Sequence, residues 1–139
     1  MTHRILMYTI DNLQRDARHL LDKKLQHHGL TRYEWMTLAL LEVNNGSIVQ
    51  SELKAYLGID DSYLSKMLDK LEFKGFVTRE VNLNDRRSRL IHSAPTSKKL
   101  SAEISHTALE FSESLLKLLS PDERAQLFNL LEKVHAGVK

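Results

Sequence analysis

The sequence predicts a mainly α-helical chain in which a helix-turn-helix and a small antiparallel hairpin lie between two long helical ends. Three observations lead there. Leu64, Met67, Leu68 and Leu71 recur at i, i+3, i+4 and i+7 shortly after Gly58, which is the spacing of a helix with one buried face entered from a tight corner. The stretches Val77–Asn82 and Arg89–Ser93 enclose a polar tip, Leu83-Asn84-Asp85-Arg86-Arg87-Ser88, as the arms of a hairpin do. Apolar residues at alternating steps of four and three run through both chain ends, marking amphipathic helices.

Taken in order, Leu6, Ile10, Leu13, Ala17, Leu20, Leu21 and Leu25 form the seam of a helix from about Ile5 to His28, and Gly29 can end it in a left-handed conformation. Such a helix is too long for one small domain to cover. Thr31 and Glu34 form a Thr-x-x-Glu capping box, with Leu30 and Trp35 at the staple positions. Trp35, Leu38, Ala39 and Leu41 turn the next helix inward, and Asn44-Asn45-Gly46 stops it. Ser47–Val49 is short and β-branched, suited to a strand at the base of the hairpin.

Gln50–Leu57 is the first helix of the motif, and Asp60 is placed to cap the second, with Asp61 in its first turn. Capping accounts for both acids without a metal pair or an acid-base couple. The face opposite Leu64 and Leu71 carries Ser62, Ser65, Lys66, Asp69 and Lys70, flanked by Tyr63 and Phe73. Any one of these fits a solvated helix face. Together with Arg86, Arg87 and Arg89 at the hairpin tip they fit a surface that meets a polyanion, helix in the major groove and tip in the minor groove.

Beyond the hairpin, Leu100, Ile104, Ala108, Phe111, Leu115 and Leu118 predict a second long helix from about Thr96 to Leu119. Ser120-Pro121-Asp122-Glu123 restarts the chain with a capping box and proline at the first helical position, and Leu127, Leu130, Leu131 and Val134 give the last helix an apolar face. The terminal seams exceed what one subunit covers, so a two-fold dimer is expected.

Composition bounds the function. At 139 residues and 42% hydrophobic content the chain is one domain or one domain with helical extensions, and five Gly and two Pro leave no room for long linkers. It has no run of 18 apolar residues, and its Met-Thr-His-Arg start lacks the apolar stretch of a secretion signal, so a cytoplasmic protein without membrane contact is expected. The absence of cysteine excludes disulfides, thiolate zinc sites and thiol redox sensing. The net charge is +2, yet Ser62–Lys99 holds nine Lys or Arg against four Asp or Glu, +5 for that segment and −3 for the remainder. No Gly-x-Ser-x-Gly, phosphate loop or dinucleotide fingerprint occurs, which argues against an enzyme. The seven histidines include no His-x-x-x-His pair, and neither a metal nor a cofactor is expected, although His92 and His106 remain able to meet partners in space.

The stretch LGIDDSYLSKMLDKLEFKGFVTREVNLNDRRSRLIH resembles the winged helix of the MarR family of bacterial transcriptional regulators, and the resemblance extends over nearly the whole chain. Asp69-Lys70-Leu71-Glu72-Phe73-Lys74-Gly75 is similar to the end of that family's recognition helix, and Asp85-Arg86-Arg87 to its Asp-x-Arg wing signature. The chain departs from the pattern at Ser93-Ala94-Pro95-Thr96, where the family has Leu-Thr before a long helix, and at Lys54, where a small residue is usual. The resemblance implies a homodimeric, operator-binding regulator, in the first instance a repressor, reading roughly palindromic duplex DNA.

On this basis Ser62, Tyr63, Ser65 and Lys66 are expected at the major groove, Arg87 and Arg86 at the minor groove, and Lys70, Lys74 and Arg89 at phosphates or in support. Asp69 or Asp85 is expected to orient a wing arginine. The family's crevice for small aromatic or phenolic effectors would draw on Tyr8, His19, Tyr33 and Trp35, each of which also fits plain packing. Residues 1–30 and 96–139 are expected to dimerise and residues 31–95 to bind DNA. The alternatives are a winged helix that grips an acidic protein, and a metal or metabolite sensor with conditional DNA binding.

Overall fold

The computed structural model describes residues 3–85 and 87–139. Helix α1 spans His3–Leu25 and closes through a 3-10 turn, Gln26–His28, onto Gly29 at φ 64°. Helix α2, Arg32–Val43, begins where the capping box requires: Glu34 N donates to Thr31 Oγ1 at 3.2 Å and Thr31 N donates to Glu34 Oε1 at 3.3 Å. Strand β1 (Ser47–Val49), helix α3 (Gln50–Leu57) and helix α4 (Asp61–Phe73) follow, then strands β2 (Val77–Val81) and β3 (Arg89–Ser93). The sheet is antiparallel in the order β1-β3-β2, with Ile91 opposite both Ile48 and Arg79.

One apolar core joins these parts. Leu21 and Leu25 from α1, Trp35, Leu38 and Leu41 from α2, Leu53 and Leu57 from α3, Leu64, Met67, Leu68 and Leu71 from α4, and Ile48, Val77 and Ile91 from the sheet are all buried together. Truncating a fully buried leucine here, Leu68→Ala for example, costs about 2–5 kcal/mol. This cluster fixes the two elements that matter most, because α4 and the hairpin are each held from beneath.

The long helix expected from Thr96 divides into α5 (Pro95–Lys98) and α6 (Ser101–Leu116). Pro95 starts a helical turn, but Lys99 N and Leu100 N bond back to Thr96 O and Ser97 O, three residues away. The buried Ser97 hydroxyl donates to Ala94 O at 2.7 Å, a local bond that competes with helix continuation. Helix α6 starts afresh with Ser101 and Ser105 donating to the Glu42 carboxylate of α2, and Ile104 enters the shared core.

Helix α7, Pro121–Gly137, opens with the expected capping box, Ser120 N donating to Glu123 Oε2 at 2.8 Å and Glu123 N to Ser120 Oγ at 3.2 Å. It buries no residue within the protomer. Phe128, Leu130, Leu131 and Val134 are exposed, as are Ile5, Leu6, Ile10 and Leu13 on α1. Among the described residues, no helix is long and apolar enough to cross a membrane.

Candidate nucleic-acid interface

The corner between α3 and α4 is made by Gly58 at φ 64°, whose N–H donates to Lys54 O at 2.9 Å. Asp60 then caps α4, accepting from Tyr63 N at 2.7 Å. With Leu64, Met67, Leu68 and Leu71 committed to the core, the 3.6-residue period turns Ser62, Tyr63, Ser65, Lys66, Asp69 and Lys70 outward, and all six are exposed. Tyr63 is steadied by an edge-on contact with Tyr33, ring centroids 5.5 Å apart at 73°.

The hairpin tip is organised by two side chains that fold back on their own backbone. Asn82 Oδ1 accepts from Asn84 N at 3.0 Å while its Nδ2 donates to Ser88 Oγ at 3.1 Å, and Asp85 Oδ1 accepts from Arg87 N at 3.0 Å. Arg87 and Arg89 are exposed, and Arg86 lies outside the described residues. Arg87, Ser88 and Arg89 share a cleft with Gln50, Ser51, Lys54, Asp61 and Leu64, so the tip and the start of α4 stand on one side of the molecule.

Asp69 does pair with an arginine of the hairpin, though not one at its tip. Arg79 on β2 donates through Nη2 to Asp69 and through Nε to Glu72 Oε2 at 3.1 Å, bracing the strand against α4. Burial tends to lower the Arg79 pKa, and its bonds to the two carboxylates outweigh that and raise it. The pairing also neutralises Asp69 on an otherwise basic face. Sequence reasoning passed over Arg79; its signal was the strand period, which puts it on the same side as the buried Val77, facing two acids three residues apart on α4.

Lys74, at the end of α4, is engaged by the protein itself. Its Nζ lies 2.8 Å from Glu34 Oε2 and 3.4 Å from Gly29 O. Burial raises the pKa of the Glu34 carboxyl, but the bonds from Lys74 and Thr31 and the lysine charge together bring it below the usual value. Lys66 and Lys70 are thus the exposed lysines on α4.

Residues 30–88 match the family model described as MarR family. Over that stretch the chain is similar to the MarR family. Solved MarR structures follow it nearly end to end. A mutant MarR from E. coli complexed with operator DNA is 29% identical, with a TM-score of 0.79 over 93% of this chain and 92% of that one. A MarR transcriptional regulator from Methanosarcina mazei Go1 is 26% identical, TM-score 0.83, over 96% of each chain. AbsC, a MarR family transcriptional regulator from Streptomyces coelicolor, is 22% identical with a TM-score of 0.86 over 99% and 96%, a likeness of fold.

Within this chain the four aromatic and histidine positions considered for an effector crevice are not brought together. Tyr8 and His19 stand exposed on α1. Tyr33 lines a groove with Asp22, Arg32 and Tyr63, whereas Trp35 sits in the core and borders a different, smaller cavity beside His28 and Thr107. Two positions apart on a helix is about 200°, so Tyr33 and Trp35 face different ways. Among the described residues no three His, Cys, Asp or Glu converge on a metal position. His92 Nε2 meets Glu80 at 2.7 Å and His106 Nε2 meets Glu110 at 3.0 Å, each a simple pair.

Proposed function

We propose that the chain is a sequence-specific, DNA-binding transcriptional regulator, a repressor, that acts as a homodimer on a roughly palindromic operator. The observation that carries this is the single basic surface made by the outward face of α4 and the tip of the hairpin. In this reading Ser62, Tyr63, Ser65 and Lys66 meet base edges in the major groove, and Arg87, with Arg86, enters the minor groove. Lys70 and Arg89 meet phosphates, and Lys74 supports α4 from behind through Glu34. Asp69 and Asp85 act indirectly, the first by holding Arg79 and the second by shaping the turn that presents Arg87. The related E. coli protein solved with operator DNA supports the assignment.

Residues 1–30 and 96–139 serve as the dimerisation region in this proposal. The exposed apolar faces of α1 and α7 support it: so many large apolar side chains in contiguous stripes need a cover, and a second copy supplies one by symmetry. A two-fold pair sets two α4 helices about one turn of DNA apart.

Selection of bound sequences from random duplexes, run beside a sedimentation measurement of mass, tests the whole reading. The expected result is an enriched inverted repeat bound by a dimer. Recovery of no sequence preference, with binding that stays at non-specific strength, overturns it and favours a protein-binding winged helix.

A further inference from the structure

We propose that the cleft between α3 and the hairpin is a seat for one phosphate of the DNA backbone, with Lys54 and Ser51 of α3 and Arg89 of β3 as its binding groups. The inference rests on the DNA-binding reading and extends it to a helix that the sequence motif left without a contact.

The cleft has a volume of about 320 Å³ and is lined from three sides: Gln50, Ser51 and Lys54 on α3, Asp61 and Leu64 on α4, and Arg87, Ser88 and Arg89 on the hairpin. Three cations against one carboxylate leave it at +2. A concave site of one sign focuses its field on a small counter-ion more strongly than a convex face does. Lys54 Nζ bonds Asp61 Oδ1 at 3.0 Å, so this ammonium is already aimed across the cleft. An ammonium has three donors and Asp61 takes one, leaving two for an anionic oxygen. Ser51 and Arg89 are exposed, and Ser88 adds a hydroxyl on the hairpin side.

Position decides what the anion is. The cleft opens between the start of α4 and Arg87, the two parts assigned to adjacent major and minor grooves, and what separates adjacent grooves of a duplex is its sugar-phosphate strand. The first helix of a helix-turn-helix crosses that strand. Lys54, the residue that departs from the small side chain usual at its position, therefore becomes a backbone contact.

The test measures binding of the selected operator duplex from 0.05 to 1 M salt for wild type, Lys54→Gln and Asp61→Asn. Each phosphate contact contributes about 0.9 to the slope of log affinity against log salt, so Lys54→Gln in a dimer reduces the slope by about 1.8. The same relation gives about a fivefold loss per contact at 0.15 M salt, about thirtyfold for the dimer, with the two curves converging near 1 M. Asp61→Asn removes the competing carboxylate and is expected to tighten binding. A purely structural Lys54–Asp61 pair predicts instead that both variants weaken binding with the slope unchanged, and that result overturns the proposal. A single methylphosphonate placed in the operator should abolish the difference between Lys54→Gln and wild type at one position per half-site. Failure of the wild type to prefer any duplex strikes the DNA reading itself, whereas a wild type that binds its site and a Lys54→Gln protein with the same affinity and slope strikes the phosphate seat alone.

Discussion

Replacing Lys74 by Met isolates the buried carboxylate of Glu34. The Glu34 side chain is 4% exposed, and Lys74, at 36%, is the cation that stands 2.8 Å away. Removing one partner of a fully buried pair costs about 3–5 kcal/mol. Water reaches the lysine end of this pair, which reduces the expected cost to about 2–3 kcal/mol. At about 3 °C per kcal/mol for a chain of this size, the transition falls by about 6–9 °C. Urea unfolding at fixed protomer concentration measures it, because dimerisation makes apparent stability concentration-dependent.

The pH dependence supplies a sign. In the wild type the folded Glu34 pKa is below its unfolded value, so the carboxylate contributes stability above that value and loses it as the pH falls through the folded pKa. In Lys74→Met, burial acts with only the Thr31 bonds against it and pushes the carboxyl up. The variant's deficit is then largest near pH 7 and narrows on acidification toward the ordinary Glu range, about pH 4. Glu34→Gln/Lys74→Met, which keeps a capping amide without the charge, should recover most of the loss. A deficit under about 0.5 kcal/mol at pH 7, the size of an ordinary surface change, or a gap that stays constant down to pH 4, refutes the account.

Other perturbations read other parts of the molecule. Arg79→Ala should loosen the hairpin, raising hydrogen exchange of β2 and β3 amides and weakening operator binding while leaving the salt slope unchanged, since Arg79 faces Asp69 and Glu72. An altered slope would show that it touches DNA. Gly58→Ala meets no neighbouring atom and pays only for the left-handed backbone, about 1–2 kcal/mol, which thermal unfolding detects. Leu131→Glu, on the exposed face of α7, should convert the dimer to monomer in sedimentation without disturbing the protomer core; a variant that remains dimeric removes α7 from the interface.

Local chemistry was the legible part of this fold. The boxes at Thr31 and Ser120, the Asp60 cap and the Gly58 corner each act within four residues, so a linear reading reaches them, and the structure has them all. The polar tip between the arms Val77–Asn82 and Arg89–Ser93 likewise placed the hairpin. The break at Lys99–Leu100 was hidden because neither glycine nor proline marks it, while a serine hydroxyl and the distant Glu42 carboxylate redirect the backbone. At the candidate site, the outward face of α4 follows from its period. The partners of its charges do not: Lys74 finds Glu34 forty residues back, and Asp69 finds Arg79 only because β2 lies against α4.

The Arg79 brace changes what kind of object the hairpin is. A two-stranded ribbon on its own is pliant and swings in solution, but bolted at mid-strand to two acids of α4 it is carried along when the helix moves. Helix and ribbon then behave as a jaw of fixed gape. In the proposed dimer, a change of grip is then expected to come from re-spacing the two jaws through the chain ends, with each jaw kept in shape by a guanidinium held between two carboxylates.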